Sequence, residues 1–144
     1  MKHLPQGKKD EAAWLSDVRV AALLQTEHAV AFQWDIQTGR QSCSPSVSDC
    51  LAGCYDGRPL FDVLQKDGVI CPEDTSSFER LLEAVENGSN STETLRFLTP
   101  DGSYRWFKVV LIQDSVPDQR LIVGLIADAE EEIKCERLLH HCKE

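Results

Sequence analysis

Cysteine is the residue type with the most capacity for chemistry in this 144-residue chain. Cys50 and Cys54 have the i, i+4 spacing that would place two thiols on one face of a helix, as half of a metal site. No other His or Cys pair at ligand spacing lies near them. We therefore interpret the cysteines as structural thiols of a reducing compartment and predict no metal site. The six are Cys43, Cys50, Cys54, Cys71, Cys135 and Cys142.

The acidic residues and histidines form no catalytic pattern. Caps, turns and solvated positions explain the candidate acids better than acid–base chemistry does. His140 and His141 stand together in a charged tail. The sequence contains no Ser-His-Asp order, phosphate-binding glycine loop or HExxH motif, so we predict no catalytic residue. The candidate acids are Asp35, Glu73, Asp74 and Glu93.

The charge balance limits the partners. With 24 acidic against 15 basic residues, the net charge is −9, which repels phosphate backbones and anionic membranes. We expect no nucleic-acid binding. No apolar run reaches the roughly 18 residues of a membrane span, and no signal-peptide pattern opens the chain. These features predict a cytoplasmic domain with no direct membrane insertion.

Three consecutive strands organise the chain. Turn residues Pro100-Asp101-Gly102 separate the first two, and a polar loop with Pro117 precedes the third. Short loops imply antiparallel neighbours. We expect the earliest strand of the chain to lie centrally, beside the last. The five predicted strands are Ala29–Ile36, Arg40–Ser44, Thr92–Thr99, Ser103–Gln113 and Arg120–Asp128.

Helical patterns fill the remaining chain. Short helices are expected between the second and third strands, and Pro72 to Asn87 is the clearest helix, with Ser76 and Glu79 at capping-box spacing. The order predicts an α+β fold, a five-stranded antiparallel sheet with short helices on one face. Residues 1–25 are a leader and N-terminal helix, 26–128 the sheet domain, and 129–144 a C-terminal helix.

Several motifs together resemble the PAS family of sensory modules over roughly residues 29–130. This chain departs from the family pattern at two positions: Cys71 replaces a His, and Glu130, two residues after Asp128, replaces a hydroxyl residue. The second departure affects how the C-terminal tail is anchored. The matching motifs are Phe32-Gln33-Trp34-Asp35 with Thr38-Gly39, Ser44-Pro45-Ser46-Val47-Ser48-Asp49 with Gly53, Val69-Ile70-Cys71-Pro72-Glu73-Asp74, Glu93-Thr94-Leu95-Arg96, and Asp101-Gly102-Ser103-Tyr104-Arg105-Trp106 with Gly124 and Asp128.

The resemblance implies a non-catalytic sensory and dimerisation module of a larger signal-transduction protein. Its output domain would be a kinase or a cyclic-dinucleotide enzyme, and residues 129–144 would be a signalling-type helix. Relatives hold ligands between the short helices and the sheet, although the simpler interpretation, which we favour, is that these side chains fill a core. The candidate lining residues are Cys50, Leu51, Phe61, Leu64, Phe78, Leu82, Val110, Ile112 and Ile126.

The sequence argues against the two common cofactors of such modules and leaves no cofactor or an unknown small ligand. Flavin photosensors need a cysteine in an Asn-Cys-Arg-Phe-type motif, which the residues around Cys50 and Cys54 do not match. Haem needs an axial ligand, and no histidine lies in the predicted long helix. The histidines are His3, His28, His140 and His141.

The helix predicted from Asp10 to Gln25 carries an apolar stripe wider than a solvated helix would have. We expect it to supply a homodimer interface, assisted by a short heptad pattern at Cys135, Leu138 and Cys142. The alternative is that it folds over its own sheet. The interface residues are Trp14, Leu15, Val18, Ala21 and Ala22.

Two other functions remain open at this stage. A small α+β enzyme of the isomerase or dehydratase type would need an ionisable side chain inside an apolar pocket, and the predicted strand faces show none. A ligand-binding GAF-like domain is disfavoured because both leading strands precede all the short helices.

Overall fold

The structure is a computed structural model that describes residues 29–116, 119–133 and 135–136. The predicted N-terminal helix and its interface residues lie outside these ranges, as do Leu138 and Cys142. The described elements confirm every predicted strand and the long helix. In chain order they are β1 Ala29–Asp35, β2 Gln41–Cys43, α1 Val47–Cys50, α2 Leu60–Lys66, a 3-10 turn Pro72–Asp74, α3 Thr75–Asn87, β3 Ser91–Leu98, β4 Tyr104–Val116 and β5 Gln119–Asp128.

The five strands form one antiparallel sheet in the order β2-β1-β5-β4-β3. The first strand therefore lies beside the last and away from the edges, as predicted. Phe32 of β1 pairs with Gly124 of β5. A Cβ on Gly124 would lie 2.3 Å from Cζ of Phe32 and 2.7 Å from the backbone oxygen of Val110. Glycine is needed there because the Phe32 ring lies across β5.

Aromatic rings join the helices to the inner face of the sheet. The ring of Phe61 in α2 lies 5.5 Å from Phe32, 5.0 Å from Trp34 and 5.5 Å from Phe78 of α3, measured between centroids. These separations fall in the range of favourable ring pairs. Phe32, Phe61 and Phe78 are buried, and the Phe61 ring of α2 therefore packs against two side chains of β1 and one of α3.

The long helix is attached to the sheet by an ion pair and not by the predicted capping box. It begins at Thr75, and Asp74 at its N-terminus makes no side-chain cap hydrogen bond. Asp74 Oδ2 instead accepts from the backbone N–H of Arg96, at 2.8 Å, and from its Nε, at 2.9 Å. Burial alone would raise the pKa of Asp74, but the Arg96 hydrogen bonds outweigh it and hold that pKa below its usual value. The Arg96 guanidinium also lies 4.8 Å from the Trp106 ring.

Part of the outer face of the sheet is also apolar, and this corrects part of the sequence-based prediction. Alternate residues of β4, among them Phe107 and Val109, point to the helices and are buried. Val110 and Ile112 have the opposite parity, and Ile112 is 47% exposed. They pair with residues of β5 on the outer face, so the expectation that these two side chains line a space beneath the helices is wrong.

The edges of the sheet are short or covered. β2 has only three residues. Beside β3, the N–H of Leu98 donates to Val69 and the N–H of Cys71 donates to the carbonyl of Arg96, at 2.7 and 3.0 Å. Ala52 donates to the carbonyl of Leu98. This part of the β3 edge is therefore occupied, which limits pairing with another chain. In the described ranges, no helix is long and apolar enough to cross a membrane.

Candidate functional site

A pocket of about 350 Å³ opens where the β3–β4 turn, the end of β5 and helix α1 meet. Its wall combines charged groups with a small apolar surface. Three carboxylates face one guanidinium, so the lining carries two negative charges in excess. The lining residues are Asp49, Cys50, Thr99, Pro100, Asp101, Arg105, Phe107 and Asp128.

The β3–β4 turn fixes one of these carboxylates. Asp101 Oδ1 accepts hydrogen bonds from the Ser103 hydroxyl at 2.7 Å, the Ser103 N–H at 3.0 Å and the Thr99 hydroxyl at 2.5 Å. Gly102 takes the left-handed backbone that this tight turn requires, with φ of +88°. The hydrogen bonds from Ser103 and Thr99 lower the pKa of Asp101 to about 2. Asp101 is therefore ionised at any physiological pH.

The second fixed pair joins the pocket to the end of the sheet. Arg105 Nε donates to Asp128 Oδ2 at 2.8 Å, and this hydrogen bond raises the pKa of Arg105. The other oxygen of Asp128 accepts the N–H of Glu130 at 2.9 Å. The Asp128 side chain is only 14% exposed. One carboxylate thus contacts the pocket wall and the first turn of the chain that follows β5.

The chain beyond β5 is anchored along β4. Residues 130–133 and 135–136 are helical. The N–H of Trp106 donates to the Glu130 carboxylate and the N–H of Ala129 donates to the carbonyl of Trp106, both at 2.8 Å. Lys108 Nζ lies 2.9 Å from Glu132 Oε1. The family pattern has a hydroxyl residue at the position of Glu130. In this chain the Glu130 carboxylate instead attaches the segment after β5 to the backbone of β4.

Among the described cysteines, Cys50 and Cys71 are buried, whereas Cys54 and Cys135 are exposed. Burial first, and then the charges of Asp49 and Asp128, raise the pKa of Cys50 to about 11. At neutral pH it stays a thiol, which is a poor nucleophile and a poor metal ligand. Helix α1 ends at Cys50, so Cys54 does not continue its helical face. Within the described ranges, no group of three or more His, Cys, Asp or Glu side chains is arranged to hold a metal.

The structure separates the predicted lining residues into two sets. Seven of them lie together beneath the helices, in the buried core or packed against it, while Val110 and Ile112 face outward. Of these nine, Cys50 alone also lines the pocket. The seven are Cys50, Leu51, Phe61, Leu64, Phe78, Leu82 and Ile126.

Sequence reasoning missed the polar wall of the pocket. Asp101, Arg105 and Asp128 stood in motifs that carried the family resemblance, but their approach depends on the sheet register and on helix α1. Thr99 is the one polar side chain in the buried class across the described part of the chain. A buried carboxylate of the kind that an isomerase or dehydratase needs is therefore not found there.

Comparison with known proteins finds solved structures of similar fold, but no matching family model and no matching curated protein. Among solved structures, the N-terminal domain of a diguanylate cyclase with PAS/PAC sensor from Marinobacter aquaeolei is 20% identical, with a TM-score of 0.58 over 72% of this chain and 97% of that one. A sensory box histidine kinase/response regulator from Burkholderia thailandensis E264 is 21% identical, with a TM-score of 0.57 over 87% and 95%.

A third similar structure is a light-oxygen-voltage domain studied with a flavin analogue. It is 18% identical, with a TM-score of 0.52 over 91% of this chain and 99% of that one. At these identities the likeness is one of architecture. The strand order and the similar structures agree with the motifs read from the sequence, and the chain has the PAS fold.

Proposed function

We propose that this chain is a non-catalytic, cytoplasmic sensory module of a larger signal-transduction protein. In this proposal the pocket and core receive a signal, and the C-terminal helical segment passes it to an output domain such as a kinase or a cyclic-dinucleotide enzyme. Similar folds belong to a diguanylate cyclase and a histidine kinase/response regulator, which supports outputs of these kinds.

The observation that carries the proposal is the double contact of Asp128. One oxygen accepts from Arg105 in the pocket wall, and the other accepts from the N–H of Glu130. Any occupant that shifts Asp128 changes both contacts at once. Glu130 in turn is bonded to the backbone of Trp106, so the first helical turn responds to the position of β4. A local change at the pocket thereby reaches the segment that leads out of the domain.

The test is a chimera in which the chain is joined through Glu144 to a diguanylate cyclase catalytic domain. Glu130→Gln should alter the rate of cyclic-dinucleotide synthesis severalfold, because it weakens the attachment to Trp106. Glu131→Gln is the matched control, since Glu131 is exposed and loses the same charge. Equal rates for both variants and the wild type would reject the proposal. The chain without the fused domain should have no cyclase activity.

We further propose that the module carries neither flavin nor haem. The rings of Phe32, Phe61 and Phe78 occupy the space beneath the helices, and the pKa of the Cys50 thiol is raised. Because a light-oxygen-voltage domain studied with a flavin analogue shares the fold, the question needs a direct measurement. Freshly purified protein should be colourless after desalting, and native mass spectrometry should show the mass of the polypeptide alone, in one or two copies, with no bound cofactor. A retained flavin or Soret band would contradict this.

We also propose that the chain forms a homodimer through its N-terminal helix. The predicted apolar stripe from Trp14 to Ala22 supports pairing with the same helix of a second copy, and Ile112 leaves part of the outer sheet face exposed. Light scattering at tens of micromolar should give the mass of a dimer for the full chain and of a monomer for a chain that begins at Thr26. If the full-length chain is a monomer, the dimer proposal is rejected. If the shortened chain is still a dimer, the interface lies in the sheet or the C-terminal tail and not in the N-terminal helix.

A further inference from the structure

We propose that the pocket between helix α1 and the β3–β4 turn binds a small organic cation, an ammonium or guanidinium compound. This pocket lies at the end of the sheet and shares Cys50 and Phe107 with the core beneath the helices. The binding proposal depends only on the pocket. The proposal that the C-terminal segment responds to binding depends in addition on the proposed function.

The charge of the lining selects the sign of the ligand. Arg105 is paired with Asp128, so these two charges largely offset each other. Asp49 and Asp101 then remain as the two carboxylates in excess, although Arg105 is close enough to Asp101 to help lower its pKa. The net charge of −9 on the whole chain adds to the same potential. An anion or a nucleotide is repelled from this pocket, and a cation is attracted.

The geometry of Asp101 leaves an acceptor for such a cation. All three hydrogen bonds from Thr99 and Ser103 end on Oδ1. Oδ2 is therefore the oxygen that a ligand N–H can reach. The turn holds this carboxylate in place, so little side-chain entropy is lost when it binds a ligand. The fixed orientation makes Asp101 the anchor, while the exposed Asp49 adds a second, adjustable charge.

The size and the remaining wall favour an organic cation over a metal ion. A volume of about 350 Å³ lies at the lower end of small-molecule pockets. Cys50, Pro100 and Phe107 give the pocket an apolar side on which an aliphatic stem can lie. No three metal-binding side chains are grouped in the part of the chain that the structure describes. A charged head with a short carbon chain matches both kinds of wall.

The experiment uses three probes with four carbons each and the full chain. Calorimetry at low ionic strength should detect binding of putrescine, a dication, and none of succinate, a dianion, or of neutral 1,4-butanediol. Asp49→Asn should weaken putrescine about two- to fivefold, the range expected for one exposed charge pair. Asp56→Asn is the matched control, because Asp56 is exposed and lies outside the lining.

Each outcome decides the inference. Putrescine binding that Asp49→Asn weakens and Asp56→Asn leaves unchanged supports the site. No putrescine binding, equal binding of succinate, or equal weakening by both variants overturns it, since the last result means attraction to the acidic surface in general. Hydrogen exchange at residues 129–133 tests the link to the proposed function separately. If putrescine binds at the pocket but exchange there is unchanged, the site stands and the proposed signalling route fails.

Discussion

The inner face of the sheet and the end of the sheet near Asp128 are built in different ways. Beneath the helices, contacts are apolar and converge on aromatic rings, with Phe61 touching three others. Near Asp128, contacts are directional hydrogen bonds between charged groups and the backbone. Apolar burial depends on area and tolerates small shifts, whereas a hydrogen bond is lost within about an ångström. The core therefore sets stability, and the polar end is suited to switching.

The largest effect should come from the aromatic cluster. Phe61→Ala removes a buried ring with three ring partners and should lower the free energy of unfolding by about 4 kcal/mol. Urea denaturation followed by circular dichroism measures this. Tyr104→Ala is the control, since Tyr104 is 42% exposed, and it should cost less than about 1 kcal/mol. Similar losses for the two variants would contradict the assignment of stability to the core.

The crossing of Phe32 over β5 gives the second prediction. Gly124→Ala should cost about 3 kcal/mol, because the added methyl meets both the Phe32 ring and the backbone oxygen of Val110, which cannot move aside. Gly57→Ala separates this clash from backbone strain. Gly57 has φ of +66° with open space around it, so its loss should be about 1–2 kcal/mol. Denaturant midpoints that fall equally would show that Phe32 has moved away.

The ion pair at the start of α3 gives a pH-dependent effect. Asp74→Asn should cost about 2 kcal/mol at pH 7, as expected for hydrogen bonds to a charged group. The pKa of Asp74 is lower in the folded chain than its usual value near 3.9, so its contribution is complete above that value. It is lost as the pH falls through the folded pKa.

The check on this sign is a pair of unfolding curves at pH 7 and pH 2.5. The difference between wild type and Asp74→Asn should shrink at the lower pH, because pH 2.5 lies below the usual aspartate pKa near 3.9, so the unfolded carboxyl is protonated and the ion pair contributes less to stability. Glu93→Gln is a useful comparison, since Glu93 pairs with the exposed Arg80 and should matter less at both pH values. A difference that is unchanged or larger in acid would exclude the ion pair as the cause.

The smallest change in stability should come from the polar end. Glu130→Gln keeps an oxygen for the Trp106 N–H and should cost less than about 1 kcal/mol. The same variant should speed hydrogen exchange at residues 129–133, because the charge-assisted bond is weakened. Glu131→Gln should change neither quantity. A large loss of global stability in Glu130→Gln would remove the contrast between the two regions.

The sequence predicts the sheet well because alternation and turn residues are local signals. The predicted bounds of β1 and β5 differ by one residue each from the observed Ala29–Asp35 and Gln119–Asp128. The prediction that these two strands are neighbours in the sheet is confirmed. The sequence does not predict which side chains of β4 face the helices, since residues 106–107 and 109–112 are apolar on both sides of the strand. Alternation cannot choose a face there, and the choice of Phe107 and Val109 for the core depends on the pairing with β5.

The polar site was harder to foresee than the core. Asp101 and Asp128 are far apart in sequence, and Asp49 comes from a separate short helix. The three meet only when the register of β4 and β5 and the placement of α1 are known. The capping pattern at Ser76 and Glu79 fails because the helix begins at Thr75, which places Ser76 inside it, while Asp74 before the helix pairs with Arg96 of β3. Local pattern matching cannot see a partner that tertiary structure supplies.

The adjacency of β1 and β5 sets a schedule for folding during translation. Asp35 pairs with Leu121, so about 86 residues must be synthesised before β1 receives its neighbour on that side. At about 5–20 residues per second this is a wait of roughly 4–17 s, during which the β1–β2 hairpin has one open side. A ribosome stalled before Gln119 would hold an aromatic strand without its partner. Chaperones should therefore bind nascent chains that contain Phe32 and Trp34 but lack β5.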